Sequence, residues 1–239
     1  MKRELFEVGQ FYHIVERGCK KMDIVHDNED RWDFLNLLFY LNDENTIPNL
    51  RRKLYESKCG NFERPSHWPA RELLINICAY CLHDNHFHLL VQEIKEGGIT
   101  NFMRRLPNSM TLRYNDKYDG SGTLFQGPYG LRLIDSDHDL RNVFLYITAK
   151  NVMERFPDGG IVGASEYFEE AWKWALTDSF SSFADYAGDR NSPILSKGIL
   201  SEKFTERRYL KKEVKNYITQ YVKSLEREEL GRKYGSLTL

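Results

Sequence analysis

Two apolar runs on either side of a polar pair, ELLINICAYCLH (72–83) and HFHLLVQEI (86–94), decide how this chain is read. Residues 72–83 are apolar almost throughout, as in a central strand covered on both faces. In the second run His86 and His88 alternate with apolar residues, and Asp84 and Asn85 between the runs form a tight polar turn. The pair predicts a β-hairpin. In a strand, side chains two residues apart share a face, so His86 and His88 project together while Phe87 points the opposite way, into a core.

Working outward, FYHIVERG (11–18) mixes aromatic and β-branched residues and stops at a glycine, which predicts a strand. NEDRWDFLNLLFYLNDEN (28–45) has Trp32, Leu35, Leu38 and Phe39 at helical spacing behind Asn28 as N-cap. Residues 47–70 show no clean period and two late prolines, and read as an irregular insertion with one short helix. Residues 99–118 form an amphipathic helix that Pro107 should kink or split. TLFQGPYGLRLID (123–135) reads as a strand interrupted at Gly127-Pro128. Residues 135–156 make the clearest helix, with an acidic first turn, Leu140, Val143, Phe144 and Ile147 in period, and a stop at Pro157.

Beyond residue 160 the chain turns helical and polar, with a loop near 187–195 and a long charged helix over 208–230. The order strand, helix, two strands, helix, strand, helix implies an α+β fold, an antiparallel sheet sandwiched by helices. We expect one domain over 1–157 and a helical C-terminal extension over 158–239.

With 239 residues, 41% of them hydrophobic and 29% charged, the chain can bury a substantial core, and long disorder is excluded. The formal net charge of -1 does not advertise nucleic acid, although a neutral total can hide a basic groove. The N-terminus lacks an apolar signal core and no run reaches the ~20 residues of a membrane span, so the expected location is the cytoplasm, with no membrane partner. Cys78 and Cys81 form a CxxC inside the apolar strand, where reduced, buried thiols are expected rather than a zinc knuckle.

Two imidazoles on one strand face can begin a divalent-metal site, yet HxH is short, and taken alone it favours an exposed polar strand face. The surrounding motifs add to it. FYHIVERGCKKMDIVHDNEDRWDFLNLL (11–38), AYCLHDNHFHLLVQ (79–92), GGITNFMRRLPNSMTLRYNDKYDGSGTLFQGPYG (97–130), LRNVFLYITAKN (140–151), SFSSFADYAG (179–188) and SPILSKGILSEKF (192–204) follow the order seen in one family. The chain resembles the REP-associated tyrosine transposases, which are single-tyrosine HUH transposases of the insertion-sequence type.

That resemblance implies a ferredoxin-like (RRM-like) HUH core. It also implies a metal-dependent single-strand DNA endonuclease and strand transferase that cleaves near hairpin-forming repeats. His86 and His88 correspond to the metal-binding histidines, with Mg²⁺ or Mn²⁺ as cofactor, and Tyr146 corresponds to the nucleophile that forms a 5′-phosphotyrosyl adduct. The partner is single-stranded or hairpin DNA, bound by a monomer or homodimer.

In the family a polar ligand follows the tyrosine by four positions, where this chain has Lys150; Asn151 comes next. Asn151 is the expected ligand if a helix irregularity brings it round. A slipped register, or two histidines with water, are the alternatives. Asp84 reads as a turn residue or as an orienting partner of His86. For DNA contact the expected residues are Arg17, Arg104, Arg105, Arg113 and Lys117, with Tyr114 and Tyr129 as stacking surfaces and Gln126 close to the site. A solvated helix face accounts equally well for the charges of 99–118. A hairpin-binding protein of the same fold that has lost cleavage is the alternative function.

Overall fold

The computed structural model describes residues 6–45, 62–64, 66–201 and 207–235. Most of the insertion expected over 47–70 therefore lies outside the described residues. The core runs β1 (Phe11–Arg17), α1 (Asn28–Leu41), β2 (Ile75–Leu82), β3 (His86–Glu93), α2 (Gly98–Lys117) and β4 (Gly130–Ile134). The sheet order is β2-β3-β1-β4 with every neighbouring pair antiparallel, the ferredoxin-like arrangement of two interleaved βαβ units. This is the α+β fold expected from the sequence.

Burial along β1 alternates strictly. Tyr12, Ile14 and Glu16 are buried toward α1 and α2, while Phe11, His13, Val15 and Arg17 are half-exposed on the opposite face. In β3, Phe87, Leu89 and Val91 join Ile14, Phe34 and Leu38 in the first core. The other face is covered by α3 (Asp137–Leu145), a π-helical turn (Tyr146–Lys150) and α4 (Asn151–Met153). Phe144, Ile147 and Val152 pack there with Ala79, Leu90 and Ile134.

The later helices α5 (Gly160–Glu166), α6 (Phe168–Ala175), α7 (Phe183–Ala187), α8 (Gly198–Ser201) and α9 (Arg207–Gly235) contribute Ala164, Trp172, Phe183, Leu200 and Ile218 to that same second core. Ser182 docks on β2, its hydroxyl donating to Tyr80 O at 3.1 Å and accepting Tyr80 N at 3.0 Å. No described helix is long and apolar enough to cross a membrane.

Backbone hydrogen bonds hold the hairpin tip in place. Gly18 N donates to Asn85 O at 2.9 Å and Ile24 N to Asp84 O at 2.7 Å, so the loop after β1 clasps the turn. Gly18 permits this, since a Cβ there would meet Met22 O at 2.1 Å.

Three local expectations are corrected. The N-cap of α1 is Asp27, whose carboxylate accepts Asp30 N at 2.9 Å, so the helix starts at Asn28 itself. Helix α2 runs unbroken through Pro107, because a proline removes one donor and the tertiary packing of Phe102, Leu106 and Met110 holds the rest. Only 130–134 of the 123–135 stretch forms a strand; Gly127 at φ +144° turns the chain, and before it only Phe125 bridges Gly18.

The start of α2 depends on one buried acid. Glu93 is fully buried, and its carboxylate accepts Gly98 N at 3.0 Å and Ile99 N at 2.7 Å. Charge-assisted caps of this kind contribute about 2 kcal/mol. Glu93→Ala should therefore lower unfolding stability by roughly that amount in urea titration, with Glu93→Gln recovering part of it.

Candidate active site

β3 puts His86 and His88 on one face, and the chain entering the turn brings His83 alongside. Ligating atoms of the three all lie within 4.8 Å of one another. The rings of His83 and His86 stack at 4.3 Å and 4°. Neighbours set which nitrogen stays open. His86 Nδ1 lies 2.6 Å from Asn85 Oδ1, and Asn85 Nδ2 donates to Lys21 O at 3.3 Å, which orients the amide. A carboxamide oxygen only accepts, so His86 carries its proton on Nδ1 and leaves Nε2 bare. His83 Nε2 faces Cys81 Sγ at 3.8 Å, leaving its Nδ1 open. Asp84 is a turn residue, as expected, and its carboxylate pairs with Arg31 at 2.7 Å; the partner of His86 is Asn85, not Asp84.

Burial holds these imidazoles neutral. It lowers His83 to about 3, helped by the charges of His86 and Arg155, and lowers His86 to about 4, helped by Arg17. His88 is lowered furthest, by burial and then by His13, His86 and His83 around it. Neutral imidazole is the form that binds metals, so the donor set fits a divalent ion. The two cysteines take no part as thiolates. Burial pushes Cys78 and Cys81 up to about 12, and both are free.

Tyr146 opens the π-turn. Its ring centre stands 5.5 Å from that of His88 and 5.9 Å from that of His13, edge to face in both cases. Burial raises its phenol above the usual range, and the Lys150 ammonium works against that rise. Lys150 Nζ sits 5.1 Å from the Tyr146 ring centre and 5.3 Å from that of Tyr221 on α9, and bonds Glu154 Oε2 at 2.9 Å.

The π-turn is a helix irregularity of the kind that would bring Asn151 round. Asn151 N donates to Tyr146 O, one residue further than an α-helical bond, so the fifth residue takes the place the fourth would occupy. Asn151 is buried, and its Nδ2 has no hydrogen-bond partner among the described residues. His83 is the imidazole the sequence reading left outside the ligand set. Its signal was position, one turn-length before His86.

The residues expected to contact DNA separate into groups. Arg17 lies on the site face, opposite His86 in register, and its charge reaches His86 and Tyr146. Gln126 joins it, its N–H donating to Arg17 O at 3.1 Å. Arg104 and Tyr129 line a separate groove of about 370 Å³ with Glu16, Thr100 and Asn108.

The remaining four are engaged in the helical layer on the other face. Arg105 donates to Asp43 O at 2.6 Å and Arg113 pairs with Asp33. Lys117 is held by Asp27 at 2.8 Å, Glu29 at 2.9 Å and Asp30 at 2.8 Å, and the Tyr114 hydroxyl meets His26 Nε2 at 2.8 Å. The structure does not bring these four to the histidines.

Residues 46–150 match the family described as "Transposase IS200 like". The matched segment contains His83, His86, His88, Tyr146 and Lys150, and it bears out the family resemblance read in the sequence. No curated protein matches the chain. A solved structure of a REP-associated tyrosine transposase bound to a REP hairpin is similar at 14% identity, with a TM-score of 0.41, covering 77% of this chain and 82% of that one.

A pH dependence follows from the neutral histidines. Their folded values of about 3 to 4 at His83 and His86 lie below the unfolded 6.5, so between those limits the unfolded chain binds more protons. The stability they contribute is fully present above pH 6.5 and is lost as the pH falls toward 4. Melting temperature should drop over that window, and the drop should be shallower in His83→Gln.

Proposed function

We propose that this IS200-like transposase is a metal-dependent single-strand DNA endonuclease and strand transferase that cuts beside hairpin-forming repeats through a 5′-phosphotyrosyl intermediate. The observation that carries the reading is the contact between Tyr146 and His88, which sets a nucleophile against a cluster of neutral imidazoles.

His83, His86 and His88 would hold the ion, with Asn151 as the further donor. When bound, a divalent cation polarises a non-bridging phosphate oxygen. The Tyr146 oxygen attacks phosphorus, forming the phenolic O–P bond while the P–O3′ bond breaks; the phenolic proton is given up to solvent and the 3′ oxygen leaves as a hydroxyl. Lys150 lowers the cost of negative charge on the phenol, and Arg17 places a cation where a phosphate enters. The freed 3′-hydroxyl can run the step backward on another end, so rejoining needs no nucleotide cofactor.

The alternative is a hairpin-binding protein without cleavage. Its argument was that Lys150 displaces a metal ligand. His83 weakens that argument by supplying another donor beside His86.

The donor set also bears on the ion. Three imidazoles suit borderline transition metals better than Mg²⁺, which favours oxygen ligands and water, so of Mg²⁺ and Mn²⁺ the second is favoured. With a hairpin-bearing single strand, Mn²⁺ or Co²⁺ should give a covalent protein–DNA band on denaturing gels at lower concentration than Mg²⁺. The band should disappear in Tyr146→Phe, and fall at least about 100-fold in His86→Ala while hairpin binding stays largely intact. Adduct formation by Tyr146→Phe would sink the assignment.

A further inference from the structure

His13 lies on β1, and β3 runs antiparallel beside it with Val15 opposite His88 and His13 opposite Leu90. His13 is therefore a diagonal neighbour of His88 on the same sheet face, within reach of a long side chain. Its Nε2 is 3.0 Å from His88 Nδ1, and the two rings lie 5.2 Å apart at 24°. Among the described residues this is the one hydrogen bond to the His88 side chain. The other rings around His88, those of His83, His86 and Tyr146, meet it edge to face.

We propose that His13 is a positioning residue that holds His88 with its proton on Nδ1, so that Nε2 presents a lone pair to the ion shared with His83 and His86. The proposal rests on the metal-dependent reading above. One N–H···N bond joins two neutral imidazoles in either of two senses. If His13 donates, the His88 proton sits on Nε2 and blocks ligation. If His13 accepts, Nε2 is free. An imidazole partner at this position can take up the second arrangement without any movement of the backbone. The same logic holds His86 through Asn85 and His83 through Cys81, giving each ligand its own partner on the far nitrogen. His13 also touches Tyr146 at 5.9 Å, so it braces the ring stack between ligand and nucleophile.

The test is Co²⁺ binding by the full chain, followed by its visible absorption, in wild type, His13→Phe and His13→Gln, with the metal-free melting temperature of each. Phe keeps a ring but no acceptor; Gln places an amide close to the position of Nε2. The expected result is about 10- to 100-fold weaker binding with an altered spectrum in His13→Phe, recovery in His13→Gln, and unchanged metal-free melting. Wild-type affinity and spectrum in His13→Phe overturn the proposal, as does equal loss in both variants.

A measurement on the wild type stands apart from any folding defect. Imidazole ¹⁵N shifts of the Zn²⁺-loaded protein should show His88 protonated at Nδ1 and coupled to His13 Nε2; a missing coupling overturns the proposal. Wild type that binds neither Co²⁺ nor Zn²⁺ removes the metal reading itself, and the role of His13 with it, whereas normal wild-type binding that is indifferent to His13 removes the positioning role alone.

Discussion

A strand cannot turn two consecutive side chains to the same side, and the site depends on that constraint acting in β3. Phe87, Leu89 and Val91 are committed to the core beneath α1 and α2. His86 and His88 are thereby committed to the other face, where α3 and the π-turn arrive. A slip of one residue in the pairing with β1 would bury both imidazoles in the first core and turn three large apolar groups onto the site face. The clasp of Gly18 and Ile24 on the hairpin turn works against that slip, and it also holds His83 and Asn85 at the entrance to β3.

The sequence made the sheet and its connections legible because the signals were periodic. Alternation in 11–17 and 86–93 and the helical spacing of 137–145 needed no tertiary information. What escaped it was non-local. Pro107 sits in a helix that packing keeps continuous through the sequence signal. The stretch 123–129 has strand-like composition but little partner. Arg113 and Lys117 look like free cations in a linear chain, yet Asp33 and the Asp27–Asp30 turn, some 80 residues earlier, hold them. His13 and His83 are ordinary histidines until the sheet sets them beside His88. Asn151 was one residue off an ideal helix, and only a backbone irregularity could bring it round.

The electrostatics of the two faces differ for the same reason. On the α1–α2 face cations meet carboxylates, and the charges are spent within the fold. On the other face four imidazoles are crowded and dehydrated, and burial keeps them uncharged: His13 falls to about 4 by the same cause. Arg17 and Lys150 are the cations whose fields reach that cluster most consistently. A near-neutral chain can thus bring cations to its site without any excess of basic residues, with Lys150 there balanced by Glu154.

The π-turn has a mechanical consequence. One added residue in a helical turn slips the phase of everything after it by about 100°. Leu140, Val143 and Phe144 enter the second core before the slip, and Val152, Met153 and Phe156 enter it afterwards. One rod therefore keeps two apolar stripes that would diverge if it were wound evenly. Tyr146 stands at the joint between them. The residues on both sides of it are in the second core, while Tyr146 itself is partly buried against that core.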